Sequence, residues 1–310
     1  MLIVFGSISM ELHIPVDQFS TTTTHALAHD YTLNAGGKAA NQAYAATRSG
    51  AKVALIGKTG DDDYAKRILD KVRREGVITS GVGKSDNVHT GLDIICTNKE
   101  NEIQITKSPG ANAYTSAEQI PEEILKTESI VLIQSDIDMN ENAALLKKAK
   151  EQGAQTIMNL SPSINISHDI LQSLDYLILN SKSASKFAQK LGIPADSSTD
   201  KIALALSKLG ELTCIITKSE QGSITYTSDG KGYKTPALKL ESFIDHHGAE
   251  DAYCGTFAAC LYARKSITEC LKRASIAASL SCEQKGGLHA FPYLADIEER
   301  LDNLDDPTES

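Results

Sequence analysis

Apolar runs punctuate the chain at 2–5, 53–56, 130–133, 156–160, 176–179 and 213–217, and amphipathic stretches of about ten to fifteen residues lie between them. Short apolar runs alternating with helical patterns predict β-α-β units around a mainly parallel sheet. The helical patterns cover 38–49, 62–75, 140–152, 181–191 and 199–209. Each is followed by a glycine placed to end it: Gly50, Gly76, Gly153, Gly192 and Gly210. Asp61, Asp62 and Asp63 stand where the second of these helices begins, at the positive end of its dipole.

Two segments break the alternation. Residues 11–34 are polar, with a threonine run at Thr21–Thr24. Residues 87–107 alternate apolar and polar around Asn98-Lys99-Glu100-Asn101, the pattern of an exposed hairpin. Together they predict a small β lid inserted in an α/β body that spans 1–310 as one domain. The acidic tail Asp302–Ser310 is expected to fray.

Composition narrows the function. Forty acidic against 31 basic side chains give a net charge of -9, which argues against a nucleic-acid partner held by overall charge. No stretch approaches the ~18 apolar residues that would span a bilayer, and Met1–Phe5 lacks the basic flank of a signal peptide, so a cytoplasmic protein without a membrane partner is expected. The six cysteines include no C-x-x-C pair and are expected to be reduced, small apolar side chains.

Three motifs fail on inspection. Gly81-Val-Gly-Lys-Ser85 resembles the end of a phosphate-binding loop, but Ile78 stands where that motif needs glycine, so an ordinary loop is expected. His25 and His29 have an i, i+4 spacing that suits a shared metal, yet neither a third ligand nor a general base accompanies them. His246 and His247 are adjacent and point apart.

Two segments carry more. In Asn34-Ala-Gly-Gly-Lys-Ala-Ala-Asn41 the paired glycines permit close approach of a ligand to the backbone, and Lys38 and Asn41 follow in the first turn of a helix, both suited to hydroxyl groups. An ordinary strand-to-helix turn would read the same way. In Phe243–Gly255 a polar turn at Gly248 opens a helix over 249–263, whose free N–H groups and dipole favour an anion. Asp251 in that first turn is either a base or a helix cap.

These two segments, with Ala51-Lys-Val-Ala-Leu-Ile-Gly-Lys-Thr-Gly-Asp61, resemble the two signatures of the ribokinase-like (phosphofructokinase-B type) family of sugar and nucleoside kinases. The resemblance implies a three-layer α/β/α sandwich with a β-sheet lid often used for homodimerisation, and ATP-dependent phosphoryl transfer to a hydroxyl of a small sugar or nucleoside. It implies Asp251 as catalytic base and Gly248, Ala249 and Glu250 as the anion hole, with Mg²⁺ accompanying ATP. Ser9, Glu11, Gly37, Lys38, Asn41 and Asp136 fall at substrate positions. Asn180, Thr217, Lys218, Gly222, Ser279, Cys282 and Gly286 fall at nucleotide positions. Asp245 lies in the loop that takes a monovalent cation such as K⁺ in parts of the family.

Departures from the family pattern are as informative. Glu11 replaces an aspartate, Ser9 an asparagine, and Asp136 stands where ribokinases proper have glutamate. His246 and His247 replace threonines, and Ser219 replaces a glycine. The glutamate of an Asn-x-x-Glu motif is absent at Ser183, while Glu250 brings a carboxylate into the expected anion hole. Either Glu250 restores, through Mg²⁺, the acid missing at Ser183, or the protein is a weakened paralogue with a sugar- or nucleotide-binding or regulatory role. A dinucleotide-dependent oxidoreductase is excluded, because Gly6-Ser-Ile-Ser9 does not supply G-x-G-x-x-G.

Overall fold

All six apolar runs form strands. The structure, a computed structural model, describes residues 1–310 apart from 101, 163–164, 195 and 310. In chain order come β1 (Leu2–Phe5), β2 (Ser9–Pro15), β3 (Thr32–Gly36), α1 (Lys38–Arg48), β4 (Val53–Thr59), α2 (Asp63–Arg74), β5 (Ile78–Lys84), β6 (Gly91–Thr97) and β7 (Ile103–Ser108). There follow β8 (Ile130–Ser135), α3 (Met139–Glu151), β9 (Gln155–Pro162), α4 (His168–Gln172), β10 (Tyr176–Asn180), α5 (Ser181–Lys190), α6 (Thr199–Gly210) and β11 (Thr213–Thr217). The last part holds β12 (Ser223–Tyr226), β13 (Gly232–Thr235), α7 (Ala249–Tyr262), α8 (Ile267–Ser281), α9 (Leu294–Glu299) and β14 (Thr308–Glu309).

The larger sheet has the order β14-β13-β12-β11-β10-β9-β8-β1-β4-β5. It is parallel from β11 to β5 and antiparallel from β11 to β14. Because a strand's side chains alternate between faces, its apolar runs feed two cores. Leu2, Val4, Leu55 and Leu132 join α1, α2, α7 and α8 on one face. Ile3, Phe5, Ile133 and Leu179 join α3, α4, α5 and α6 on the other. This is the expected three-layer sandwich. The lid is a second sheet of order β3-β2-β6-β7, with β2 and β6 parallel and its outer pairs antiparallel. It includes the predicted hairpin, whose turn residue Asn101 lies outside the described residues.

Three expectations need correction. Gly81–Lys84 is not a loop but the second half of β5, paired with Ile56–Thr59. Gly210 does not end its helix from outside; it is the last residue of α6, close against Leu212 and Leu171, and Glu211 takes the left-handed conformation instead with φ 53°. The tail does not simply fray: Thr308 and Glu309 pair with Lys234 and Tyr233, and Lys272 Nζ holds Asp306 at 2.7 Å. Ser310 lies outside the described residues. Among them, no helix is long and apolar enough to cross a membrane.

Candidate active site

The C-terminal ends of parallel strands are where an α/β sheet exposes its crevice. Ser7 follows β1, Asp136 follows β8, and Asn180 and Thr217 close β10 and β11. Asn159, a polar residue inside the apolar run of β9, is fully buried.

Asp251 occupies the first turn of α7 and is 6% exposed. It is not a cap for its own helix: Gly248 holds the N-cap at φ 87° with no side-chain cap bond. A side chain there would also meet Phe291, because a Cβ on Gly248 would lie 2.9 Å from that ring. Instead three donors from α1 converge on the Asp251 carboxylate. Asn41 Nδ2 donates to Oδ2 at 3.0 Å, Gln42 Nε2 donates to Oδ1 at 2.9 Å, and Lys38 Nζ stands 3.6 Å from Oδ1. Residues 38, 41 and 42 share a helix face at i, i+3 and i+4, so one helix delivers all three.

The helices α1 and α7 approach closely enough to allow this at Gly255, where a Cβ would meet the Gln42 carbonyl oxygen at 2.5 Å and Ala45 Cβ at 2.8 Å. Gln42 is itself fixed, accepting from Gln134 Nε2 at 2.8 Å and donating to Asn159 Oδ1 at 3.1 Å. Lys38 Nζ also reaches Asn159 Oδ1, at 3.3 Å. Burial works against the Lys38 charge, but Asp251, then Glu250 and Asp136, outweigh it and hold the ammonium above its ordinary pKa.

Glu250 is held as well. Its Oε1 accepts from Asn159 Nδ2 at 2.7 Å and its Oε2 from Asn180 Nδ2 at 3.4 Å. Asn180 caps α5 through its bond from the Ser183 N–H, 2.9 Å, so Glu250 sits beside the segment that lacks the family's glutamate. Of the other predicted anion-hole groups, the Ala249 N–H donates to the His246 carbonyl at 3.2 Å.

Among the residues predicted to bind substrate, Asp136 Oδ2 accepts from the Ser7 hydroxyl, whose oxygen in turn accepts from the Lys38 N–H at 3.0 Å. Asp136 Oδ1 is buried without a partner among the described residues. Burial pushes the Asp136 carboxyl upward against the pull of Lys107, Ser7 and Lys38. Glu11 is 3% exposed and lies against Gly36, where a Cβ would overlap its carboxylate; Gly37, at φ 91°, donates its N–H to Oε1 at 3.3 Å. Ser9 is drawn away, accepting from Asn112 Nδ2 at 3.1 Å.

The residues predicted to serve the nucleotide fall at the ends of β10 and β11, in the turn after β11, on α8 and in the segment that follows it. Lys218 and Gly222 close a tight turn after Thr217, with the Lys218 N–H donating to the Gly222 carbonyl at 2.7 Å. Ser219 within it is exposed and left-handed at φ 51°. Ser279 and Cys282 serve the fold directly: Ser279 Oγ accepts from the Leu238 N–H at 3.2 Å, and the Cys282 carbonyl from the Ile244 N–H at 2.9 Å. Asp245 accepts from the His247 and Gly286 N–H groups, each at 2.9 Å, tying the loop before α7 to the loop after α8. His25 and His29 are exposed and lie outside any helix, so the i, i+4 spacing places them on no common face.

Sequence reasoning missed Ser7, Gln42, Gln134, Asn159 and Gly255. A signal existed for two of them, since Gln134 and Asn159 are polar interruptions of strands buried on both faces.

The pfkB family carbohydrate kinase model matches residues 1–293. A ribokinase of Bacillus subtilis is 31% identical over 96% of this chain and 98% of its own length. A ribokinase of Thermotoga maritima, 26% identical, superposes with a TM-score of 0.88 over 97% of this chain and 99% of that one. An Arabidopsis thaliana ribokinase solved with ribose and ATP, 24% identical, has the same fold at a TM-score of 0.87 over 97% and 98% of the two chains. Matched by the family model over nearly its whole length and by relatives end to end, the chain belongs to the pfkB family of carbohydrate kinases.

Proposed function

We propose that this protein transfers the γ-phosphoryl group of ATP to a hydroxyl of a small sugar or nucleoside. The observation that carries the reading is the buried Asp251 carboxylate at the start of α7, oriented by Asn41, Gln42 and Lys38. The substrate oxygen attacks the γ-phosphorus, the bond to the β,γ-bridging oxygen breaks, ADP leaves, and the hydroxyl proton passes to Asp251. Apart from the Ala249 N–H, which is bonded to His246, the N–H groups opening α7 would face developing negative charge with the helix dipole behind them. Lys38 keeps its charge in this cluster of acids and balances them as the proton moves. Glu11 and Asp136 accept hydrogen bonds from substrate hydroxyls.

Magnesium neutralises phosphate charge in such transfers and takes oxygen ligands. The donor chemistry here fits: Glu250, anchored by Asn159 and Asn180, supplies a carboxylate where Ser183 supplies none. A binding protein of weakened catalysis draws support from Ser219, which carries a side chain in a conformation that favours glycine. The lid exposes Leu27, Tyr31 and Ile105, which supports the homodimer expected through it.

Isothermal titration with ATP-Mg²⁺, followed by ADP release with pentoses, hexoses and nucleosides, tests the reading. Turnover with one substrate class is expected. No nucleotide binding at millimolar concentration would end the kinase reading.

A further inference from the structure

His13 lies on β2 and His247 in the loop before α7, far apart in sequence, yet both rings direct Nε2 to one oxygen, Glu11 Oε2, at 3.2 and 2.9 Å. Glu11 and His13 are two apart on β2 and therefore share a face of the lid, while His247 comes from the loop that leads into α7. The two rings stand edge to face with centroids 4.9 Å apart. The ligand atoms of all three residues fall within 4.8 Å of one another, the one such group among the described residues.

We propose that Glu11, His13 and His247 form a binding site for one divalent transition-metal cation of the Zn²⁺ class, clamping the lid to the catalytic loop. Two imidazoles and a carboxylate select Zn²⁺ or a neighbouring first-row ion, whereas Mg²⁺ and K⁺ prefer oxygen alone. Ligand bonds of about 2.0–2.2 Å place tetrahedral ligand atoms roughly 3.3 Å apart, so the 2.9 and 3.2 Å spacings need widen only by tenths of an ångström. Two of the three ligands are already held from behind. Glu11 is pinned by the Gly37 N–H on its other oxygen and by the bare Cα of Gly36, and the His247 backbone is pinned by Asp245. Three protein ligands leave a position open, and the adjacent Gly37 and Lys38 are substrate residues in the proposed function. The metal site itself does not depend on that function.

The test uses the full chain stripped with chelator, with neither nucleotide nor sugar present, so that it reads the metal site and not the kinase. Zn²⁺ titration calorimetry and Co²⁺ visible absorption are run on the parent, His13→Gln and His247→Thr. One ion per chain at micromolar or tighter affinity is expected, with the absorption of a low-coordinate Co²⁺ centre. Each variant should lose affinity by at least tenfold, and Zn²⁺ should raise the melting temperature of the parent but not of either variant. Melting without metal verifies that each variant is folded, and one folded variant suffices. Binding of equal strength in parent and folded variant would place the ion elsewhere and overturn the proposal, as would no binding by the parent below millimolar Zn²⁺.

Discussion

Glu250→Gln is a test whose sign separates two physical pictures of this site. The substitution keeps the side-chain length and an oxygen for the 2.7 Å bond from Asn159; it removes the charge and, with it, the acceptor of the longer 3.4 Å bond from Asn180. If the carboxylate faced the transferred phosphate, one like-charge contact near 4 Å would cost about 4 kcal/mol at an effective dielectric of 20. Neutralising it would then raise turnover by up to about a thousandfold. The geometry argues the other way. Both carboxylate oxygens are turned to amide donors, one of them on Asn180, beside the segment where the family's glutamate is missing. In the proposed function a carboxylate held there serves Mg²⁺ rather than repelling phosphate.

The expected result is therefore a loss: a Mg²⁺ concentration for half-maximal rate raised about 10–100-fold, the range that follows removal of a supporting group from a metal site. The assay is ADP release at saturating substrate with Mg²⁺ varied at fixed ATP. A companion variant, Ser183→Glu with Glu250→Gly, moves the acid back to the family position and should keep turnover within a few-fold of the parent. A rise in turnover in Glu250→Gln, or a large gain in the double variant, would refute the reasoning and show the pocket to be damaged by Glu250.

Asp251→Asn should lower kcat by about 10²–10⁴-fold, the usual worth of a positioned base, with substrate affinity within a few-fold, read by steady-state kinetics beside calorimetry. Gly255→Ala should cost about 1–3 kcal/mol by overpacking, since its Cβ would lie 2.5 Å from a backbone oxygen of α1, and should lower kcat as Gln42 shifts from Asp251; thermal melting with kinetics reads both. Asp62→Ala removes the cap of α2, a 2.9 Å bond from the Ala65 N–H, together with two bonds from Thr90, and should cost at least about 1 kcal/mol in urea unfolding. Although burial opposes it, these bonds hold the Asp62 carboxyl below its ordinary value, so this contribution is complete above about pH 4 and fades as pH falls through the folded value; the gap between parent and variant should close in acid.

The body of the fold was legible because burial on two sheet faces imposes a pattern that composition cannot disguise. Leu2–Phe5, Ile130–Ile133 and Thr213–Thr217 announce themselves as strands. β5 does not, because Ile-Thr-Ser-Gly-Val-Gly-Lys lies at the sheet's edge and needs no apolar run; its partner β4 alone defines it. The tail strand is equally mute, two polar residues whose only claim is an exposed edge on β13. In the site, Lys38, Asn41 and Asp251 lay in long motifs, and the structure brings these three together. The residues that aim them, Gln42, Asn159 and Gly255, were not legible, since their roles exist only once α1, β9 and α7 are brought together.

That division has a mechanical consequence. The Asp251 carboxylate receives its donors from one face of α1, and α1 begins at Gly37, whose N–H also holds Glu11 of the lid. Glu11 in turn is bonded to His247, one residue before Gly248 opens the helix of Asp251. The lid strand β2 and the helices α1 and α7 thus form a closed circuit of contacts with Glu11 at the joint. A ligand that draws the Glu11 carboxylate toward itself must load both His247 and Gly37, and so reaches Asp251 from two sides. If the proposed function and the proposed metal site both hold, substrate hydroxyls and the cation would compete for the Glu11 oxygens, and this joint would couple occupancy of the lid to Asp251.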